Sequence, residues 1–154
     1  QKKENALERL ELAPEFGRGV VSFELTPGLE PEVVRGFIAS SGINAVILKS
    51  LGEGNVCTEG NFNLLPAITE ATQKHKIPIF ITTKFTGGNA LATHYEVGYE
   101  AIKAGGIPCF DHTDVAVDVK VRWLIGNKLC STVEDYRRAM MTSYAGEMTP
   151  QREN

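Results

Sequence analysis

The sequence INAVILKSLGEGN, residues 43–55, joins an apolar run to a polar turn that contains two glycines. The run is rich in β-branched residues, which is typical of a strand buried on both faces of a parallel sheet. In open α/β sheets, ligands bind at the loops that follow the carboxyl ends of the strands. We therefore predict a central buried strand here, followed by a functional loop that ends at Asn55.

Strand and helix patterns alternate on both sides of this stretch. Further strand-like runs occupy residues 20–25, 77–82 and 107–110, and helical spacing of apolar residues separates them. This alternation predicts an α/β fold with a four-stranded, mainly parallel sheet and helices on both faces. Segment 115–123 is ambiguous, because its strict alternation predicts a strand, whereas its place after a short strand and a Thr-Asp cap favours a helix.

Two of the predicted helices have clear apolar faces or caps. One follows Gly60 and places Phe62, Leu65, Ile68 and Ala71 on one face. The last helix of the chain runs through Met141 and is predicted to be capped by residue 131 or 132, a serine and a threonine.

The length and composition of the chain are those of one globular domain. A chain of 154 residues with 42% hydrophobic and 23% charged residues is large enough to bury its own core. We assign residues 19–150 to this domain, residues 1–18 to a linker or tail and residues 151–154 to a second tail. The formal net charge of −3, without a basic block, argues against nucleic acid as a direct partner. No apolar run approaches the roughly 20 residues of a membrane span.

The amino-terminal sequence and the cysteines bear on the context of the chain. The start QKKE has no initiating methionine and no apolar signal region, so we expect a fragment of a longer protein. Cys57, Cys109 and Cys130 are widely spaced and form no CxxC pair, which favours reduced, mostly buried thiols in a cytosolic protein. A catalytic cysteine stays open, since any of the three histidines could lie near one of them in the fold.

Several short segments together resemble the C-terminal domain of the L-asparaginase family. The resemblance is to the cytosolic type I enzymes and, nearly as well, to the asparaginase-like D subunit of the tRNA-dependent amidotransferase. It implies a Rossmann/flavodoxin-like domain, and it favours a helix for segment 115–123. The matching segments, in family order, are LTPG (25–28), AVIL with GEGN (45–48 and 52–55), ITT (81–83), YEVG (95–98), AGGIP (104–108), DHT (111–113), KVRWLIG (120–126) and AGEMT (145–149).

The resemblance implies the hydrolysis of L-asparagine to aspartate and ammonia by a longer, cytoplasmic protein. In this family, the active site forms between the N-terminal domain of one subunit and the C-terminal domain of its neighbour. The implied partners are an N-terminal catalytic domain and further copies in a homodimer or homotetramer. The threonine nucleophile belongs to the absent half, so we expect no catalytic residue in this chain, no cofactor, and no activity of the chain alone.

Two short segments resemble the family's catalytic motifs in sequence. TGG at residues 86–88 resembles the nucleophile motif, and HTD at residues 112–114 resembles the second catalytic motif. In the family, both true motifs lie in the N-terminal domain, whereas these strings lie inside the C-terminal pattern. A threonine nucleophile also needs an activating base, and no matching lysine-bearing stretch is present. A metal site at Asp111, His112 and Asp114 is less expected than helix capping at Thr113 or Asp114.

The resemblance assigns substrate contacts, made from the neighbouring subunit, to Asn55, Tyr95 and Glu96. A glutamate suits the substrate's ammonium group, and amide or hydroxyl groups suit the rest of the molecule. Each position also has a structural alternative. Asn55 could serve only the turn, because asparagine tolerates left-handed backbone, and Glu96 could simply lie in the first turn of a helix.

Lys49 and Lys84 occupy positions related to regulation in the family. Some bacterial type I enzymes have an allosteric asparagine site with an arginine on the strand before the glycine turn and a cysteine in the third-strand loop. Lys49 stands at the arginine position and Lys84 at the cysteine position. Lysine lacks the two-pronged geometry that holds a carboxylate, which argues against this site here.

Two other functions remain open from the sequence. The D subunit of the amidotransferase would release ammonia for tRNA-bound glutamate and would need a partner subunit. A domain of a different class would bind a small amino acid, or serve assembly, without being an enzyme. The resemblance implies that the residues that decide between asparagine and glutamine lie mainly in the absent N-terminal half.

Overall fold

The computed structural model describes residues 12–52, 54–83 and 96–149, with residues 96–98 described by backbone alone. Four strands alternate with helices along the chain. The elements, in chain order, are β1 (Val20–Glu24), α1 (Pro31–Ala39), β2 (Ala45–Ser50), a 3₁₀ turn (Gly60–Phe62), α2 (Leu65–Thr69) continued by a wider π-helical turn (Glu70–Lys74), β3 (Ile79–Thr83), α3 (Glu96–Lys103), β4 (Ile107–Pro108), α4 (Asp114–Gly126) and α5 (Val133–Met140).

The sheet is parallel throughout, and its strand order, β1-β2-β3-β4, is the order of the chain. Side chains alternate between its two faces, as the pleat of a strand requires. Val46 and Leu48 pack against α1, α2 and α3, whereas Ala45 and Ile47 pack against α4 and α5. The predicted α/β fold, with a four-stranded sheet covered on both faces, is therefore confirmed.

Segment 115–123 lies within α4, so the strand that its alternation predicts is wrong, and the helix that the resemblance favours is confirmed. The hydroxyl of Thr113 accepts a hydrogen bond from the backbone N–H of Ala116 at 3.2 Å, which caps the first turn. Val117 and Val121, four residues apart, are buried against the sheet. The alternation thus places apolar residues on two sides of one helix.

The helix predicted after Gly60 begins later than expected. Phe62 belongs to the 3₁₀ turn and is exposed, so its predicted place on the apolar face is wrong. The side chain of Asn63 accepts a hydrogen bond from the N–H of Leu65 at 2.9 Å, and Pro66 lies in the first turn of α2. These two features fix the start of the helix.

The part of the predicted linker that the structure describes lies along α4. The indole N–H of Trp123 donates to the carbonyl of Ala13 at 2.9 Å, and the N–H of Gly17 donates to the carbonyl of Arg122 at 2.7 Å. The three cysteines are free thiols, with Cys109 buried and the other two partly buried. Within the described ranges, no helix is long and apolar enough to cross a bilayer.

A capping box begins α5. The Thr132 hydroxyl accepts from the N–H of Asp135 at 3.1 Å, and the Asp135 carboxylate accepts from the N–H of Thr132 at 2.9 Å. Replacing Thr132 with alanine is expected to lower the free energy of unfolding by about 1 kcal/mol, because the Asp135 N–H loses its acceptor. Urea unfolding followed by circular dichroism measures this loss. Ser131→Ala, which leaves the Thr132 cap intact, is the control, and an equal loss in both variants would contradict the capping role.

Candidate functional site

The turn after β2 lies at the carboxyl edge of the sheet. Leu51 and Asn55 form an antiparallel bridge, in which the N–H of each donates to the carbonyl of the other at 3.1 and 2.9 Å. Gly52 and Gly54 have φ angles of 52° and 111°, a backbone conformation that side chains with a Cβ rarely adopt. The glycines therefore close a tight turn that returns the chain to the strand end at Asn55.

Asn55 has a buried polar atom that no residue in the described part of the chain pairs. Its side-chain oxygen Oδ1 is buried and accepts no hydrogen bond from the described residues. The hydroxyl of Thr82, near the end of neighbouring β3, is also buried and has no hydrogen-bond partner among the described residues. Buried polar groups are almost always paired, so each of these two oxygens calls for a donor from outside the described residues, either from a bound molecule or from the rest of the chain.

The turn is fastened to β3 by two short hydrogen bonds. The hydroxyl of Ser50 donates to the carbonyl of Thr82 at 2.6 Å, and the hydroxyl of Thr83 donates to the carbonyl of Gly52 at 2.6 Å. Sequence reasoning missed Ser50, Thr82 and Thr83. The available signal was the run of small hydroxyl residues at the ends of two adjacent apolar strands.

Lys49 points its ammonium group at the start of α4. Its Nζ lies 2.8 Å from the carboxylate of Asp114, and this hydrogen bond and charge hold the pKa of Asp114 below its usual value. Lys49 also lies opposite Thr82 in the register of β2 and β3. The ammonium is thus already paired within the domain, which weakens the case for Lys49 as a ligand for a free amino acid.

The other predicted site residues are only partly described. Tyr95 and Lys84 lie outside the described residues. Glu96 is the first residue of α3, and its side chain also lies outside the description. The structure therefore brings Asn55 and Lys49 to the same edge of the sheet.

The HTD string at residues 112–114 has structural partners. The imidazole of His112 is buried, with Nδ1 2.6 Å from the carbonyl of Cys109 and Nε2 3.1 Å from Nζ of Lys120. A carbonyl only accepts, so Nδ1 carries the hydrogen and Nε2 accepts from the ammonium. Thr113 caps α4. Within the described part of the chain, no group of three or more His, Cys, Asp or Glu side chains could hold a metal ion.

Lys120 is the centre of this buried network and was not identified from the sequence. Its ammonium donates to the carboxylate of Glu147 at 2.8 Å and to the carbonyl of Thr142 at 2.6 Å. Burial opposes ionisation of Glu147, but Lys120 and the N–H groups of Tyr144 and Ala145 lower its pKa to about 2. The network fastens residues 142–147 to α4.

Acid is expected to destabilise the domain through His112. Burial holds the pKa of His112 below its usual value of 6.5, so the unfolded chain binds a proton near that pH and the folded domain does not. The contribution of the neutral His112 to the free energy of unfolding is therefore fully present above pH 6.5. Below that pH, the free energy of unfolding falls by up to about 1.4 kcal/mol per pH unit for one proton. Urea midpoints at pH 7.5 to 5 measure this loss. The same series on His112→Gln should have a smaller slope, and an unchanged slope would contradict the assignment.

Comparison with known proteins identifies the family. Residues 19–140 match the model of the Glutaminase/Asparaginase C-terminal domain, and the chain belongs to this family. Over 136 residues it is 35% identical to the L-asparaginase of Thermococcus kodakarensis, a match that covers 88% of this chain and 39% of that protein. Over 131 residues it is 30% identical to the D subunit of the glutamyl-tRNA(Gln) amidotransferase of Pyrococcus horikoshii, covering 85% of this chain and 28% of that protein.

Solved structures agree with this assignment. The thermostable L-asparaginase from Thermococcus kodakarensis superimposes with a TM-score of 0.80 at 35% identity, covering 90% of this chain and 40% of that one. L-asparaginase I from Vibrio cholerae superimposes with a TM-score of 0.78 at 24% identity, which shows the shared fold. The chain thus spans two fifths or less of the length of these proteins. The family resemblance of the sequence is confirmed.

Proposed function

We propose that this chain is the subunit-bridging C-terminal domain of a longer L-asparaginase, which hydrolyses L-asparagine to L-aspartate and ammonia. The observation that carries the proposal is the buried Oδ1 of Asn55 at the carboxyl edge of the sheet, which no described residue pairs, in a domain of the asparaginase family. The 35% identity to an L-asparaginase, over most of this chain, supports asparagine as the substrate. The nucleophile is then a threonine of the N-terminal half, and this chain alone is inactive.

The domain's task is to hold the substrate while its amide carbon is attacked. The α-ammonium of asparagine would supply a hydrogen-bond donor for the buried Oδ1 of Asn55, which receives none from residues 12–52, 54–83 and 96–149. Glu96, the first residue of α3, would add a carboxylate for the same ammonium, and Tyr95, the residue before it, would add a hydroxyl. The hydrogen bonds from Ser50 and Thr83 keep the Asn55 turn rigid, so the amide needs no reordering when substrate binds.

The partners follow from the same proposal. The domain would pair with its own N-terminal catalytic domain and bridge to a neighbouring subunit in a homodimer or homotetramer. The location would be cytoplasmic, and neither cofactor nor direct nucleic-acid contact is required. The relation of the domain to this assembly rests on the family alone.

Replacing Asn55 with alanine tests the proposal on the full-length natural protein. Loss of a hydrogen bond to the charged ammonium costs about 1.5–3 kcal/mol, so kcat/KM for ammonia release from asparagine should fall roughly tenfold to a hundredfold. The midpoint of urea unfolding should stay close to the original, because the Oδ1 has no partner among the described residues.

Asn61→Ala, at an exposed position outside the turn, is the matched control and should leave both quantities unchanged. Unaltered kinetics in Asn55→Ala would exclude a substrate contact at this residue. A full-length protein that releases ammonia from neither asparagine nor glutamine would overturn the enzyme proposal and favour an amino-acid-binding or assembly domain.

The D subunit of a glutamyl-tRNA(Gln) amidotransferase is the second candidate, because one such protein is 30% identical to this chain over 131 residues. In that case ammonia release would require a partner subunit and tRNA-bound glutamate. Assaying the full-length protein alone separates the two candidates, since an asparaginase turns over free asparagine without a partner subunit.

A further inference from the structure

Residues 142–149, which we call the strap, follow α5 and contact α4 without forming a helix or a strand. Polar contacts attach the strap at its middle to Lys120 and at its end to Asp111, whose carboxylate accepts from the N–H of Thr149 at 3.1 Å. Met148 is the one residue of the strap that is buried. A segment with so little buried surface opens at a low cost in free energy, so the strap can open while the rest of the domain stays folded.

The middle of the strap is folded around the carboxylate of Glu147. This carboxylate accepts from the backbone N–H groups of Tyr144 and Ala145 at 3.0 and 2.7 Å, and it binds the ammonium of Lys120 at 2.8 Å. The carbonyl of Thr142 accepts from the same ammonium at 2.6 Å. Two of the groups that this ammonium binds therefore belong to the strap, so its position decides whether the strap stays on α4.

The ammonium of Lys120 also donates to Nε2 of His112 at 3.1 Å, which requires a neutral imidazole. The hydrogen of the neutral ring lies on Nδ1, which donates to the carbonyl of Cys109 at 2.6 Å. A second proton must bind at Nε2, where it converts an acceptor into a cation beside the ammonium. Two positive charges this close repel strongly in the interior, so protonation of the ring drives Lys120 out of its place.

The groups around His112 act on its charge in both directions. Burial of the ring is the largest influence, and together with the Lys120 charge on α4 it keeps the pKa of His112 below 6.5. The Cys109 carbonyl after β4, the Glu147 carboxylate of the strap at 3.9 Å and the neighbouring Asp111 carboxylate favour the charged ring without reversing this direction. The Cys109 thiol stays neutral, because burial raises its pKa. The closed strap therefore excludes the proton, and the open strap admits it.

We propose that His112 is a proton switch: in weak acid its protonation displaces the Lys120 ammonium and releases the strap from α4 while the sheet stays folded. Release separates Tyr144 from the ring of Trp123, which it meets at 5.0 Å in the closed state. Because the strap ends beside Asp111, which follows β4, the change reaches the carboxyl edge of the sheet. The inference does not depend on the proposed enzymatic function.

Hydrogen exchange of the full-length protein, resolved into peptides by mass spectrometry at pH 7.5, 6.5 and 5.5, tests local opening. After correction for the intrinsic effect of pH on exchange, amides of residues 144–149 should exchange at least roughly tenfold faster than those of β2 at each pH. Their protection should also fall by up to about tenfold per pH unit below 6.5, because opening takes up one proton. Strap amides that are protected as strongly as β2 would show that the strap opens only with the whole domain, and would overturn the proposal.

The variant His112→Gln tests whether this histidine is the switch. Glutamine cannot take up the proton, so the protection of residues 144–149 should no longer depend on pH. The matched control is His75→Gln, which removes a histidine beside Glu70, outside the network, and should keep the dependence. A dependence that persists in His112→Gln, or that is missing from the unmodified protein, would overturn the proposal. The measurement on the unmodified protein decides the question even where His112→Gln does not fold.

Discussion

Replacing Lys120 with alanine is expected to lower the free energy of unfolding by about 3–5 kcal/mol. Lys120 is buried, and its ammonium donates to Glu147, to the Thr142 carbonyl and to Nε2 of His112 at 2.8, 2.6 and 3.1 Å. In the alanine variant, the largely buried carboxylate of Glu147 loses its cation. The Thr142 carbonyl and Nε2 of His112 also lose the donor that Lys120 supplies. Urea unfolding at pH 7.5, followed by circular dichroism, measures the loss.

Two further variants separate the buried charge from the loss of a side chain. Lys120→Met combined with Glu147→Gln removes both charges and should recover much of the stability, because no unpaired ion remains in the interior. Lys74→Ala removes an exposed lysine from its ion pair with Glu70 and should cost less than about 1 kcal/mol. Similar losses in Lys120→Ala and Lys74→Ala would show that burial does not strengthen the Lys120 network.

Replacing Phe80 with alanine is expected to cost a similar amount, about 3–5 kcal/mol, for a different reason. Phe80 is fully buried on β3, between Ile47 and Ile107 in the register of the sheet, and its ring meets Tyr136 edge to face at 5.9 Å. Alanine removes the buried ring and leaves a cavity between the sheet and α5. The free energy of unfolding in urea is again the measurement.

Phe62→Ala is the matched control for Phe80→Ala. Phe62 lies in the exposed 3₁₀ turn, where removal of the ring leaves no cavity, and the expected change is within about 0.5 kcal/mol. Phe80→Leu should lie between the two, since leucine fills part of the space. A loss in Phe80→Ala no larger than that in Phe62→Ala would contradict the central place of Phe80 in the core.

The strands could be predicted from the sequence because their signal is local. The apolar run before Gly52 is β2, and residues 77–82 predicted a strand that the structure places at Ile79–Thr83. Buried parallel strands need apolar side chains on both faces, so burial is recorded in consecutive residues. The turn at Asn55 could also be predicted from a local signal, because Gly52 and Gly54 are separated by a single residue in the sequence. In the structure both glycines have the positive φ angles that the turn requires.

The features that sequence reasoning missed depend on residues far apart in the chain. Lys120 lies in a segment whose alternation suggests a polar, outward position, yet it is buried because Glu147 pairs with it 27 residues later. The burial of the Asn55 and Thr82 oxygens, away from any donor in the described ranges, likewise depends on the packing of two strands. The strand predicted for segment 115–123 was wrong for a third reason. Two apolar faces on one helix give the same alternating pattern of apolar and polar residues as a strand.

The strand order of the sheet has a consequence for how the domain folds. Each strand pairs with the next one along the chain, so β1, β2 and β3 can assemble progressively, with α1 and α2 closing one face as the chain lengthens. Helix α4 contacts β1, β2 and β3 from the opposite side, and it follows all of them in the chain. During synthesis, the face that carries Phe80 therefore stays uncovered until the last third of the chain has emerged, and this is the interval in which the nascent domain is most exposed to aggregation.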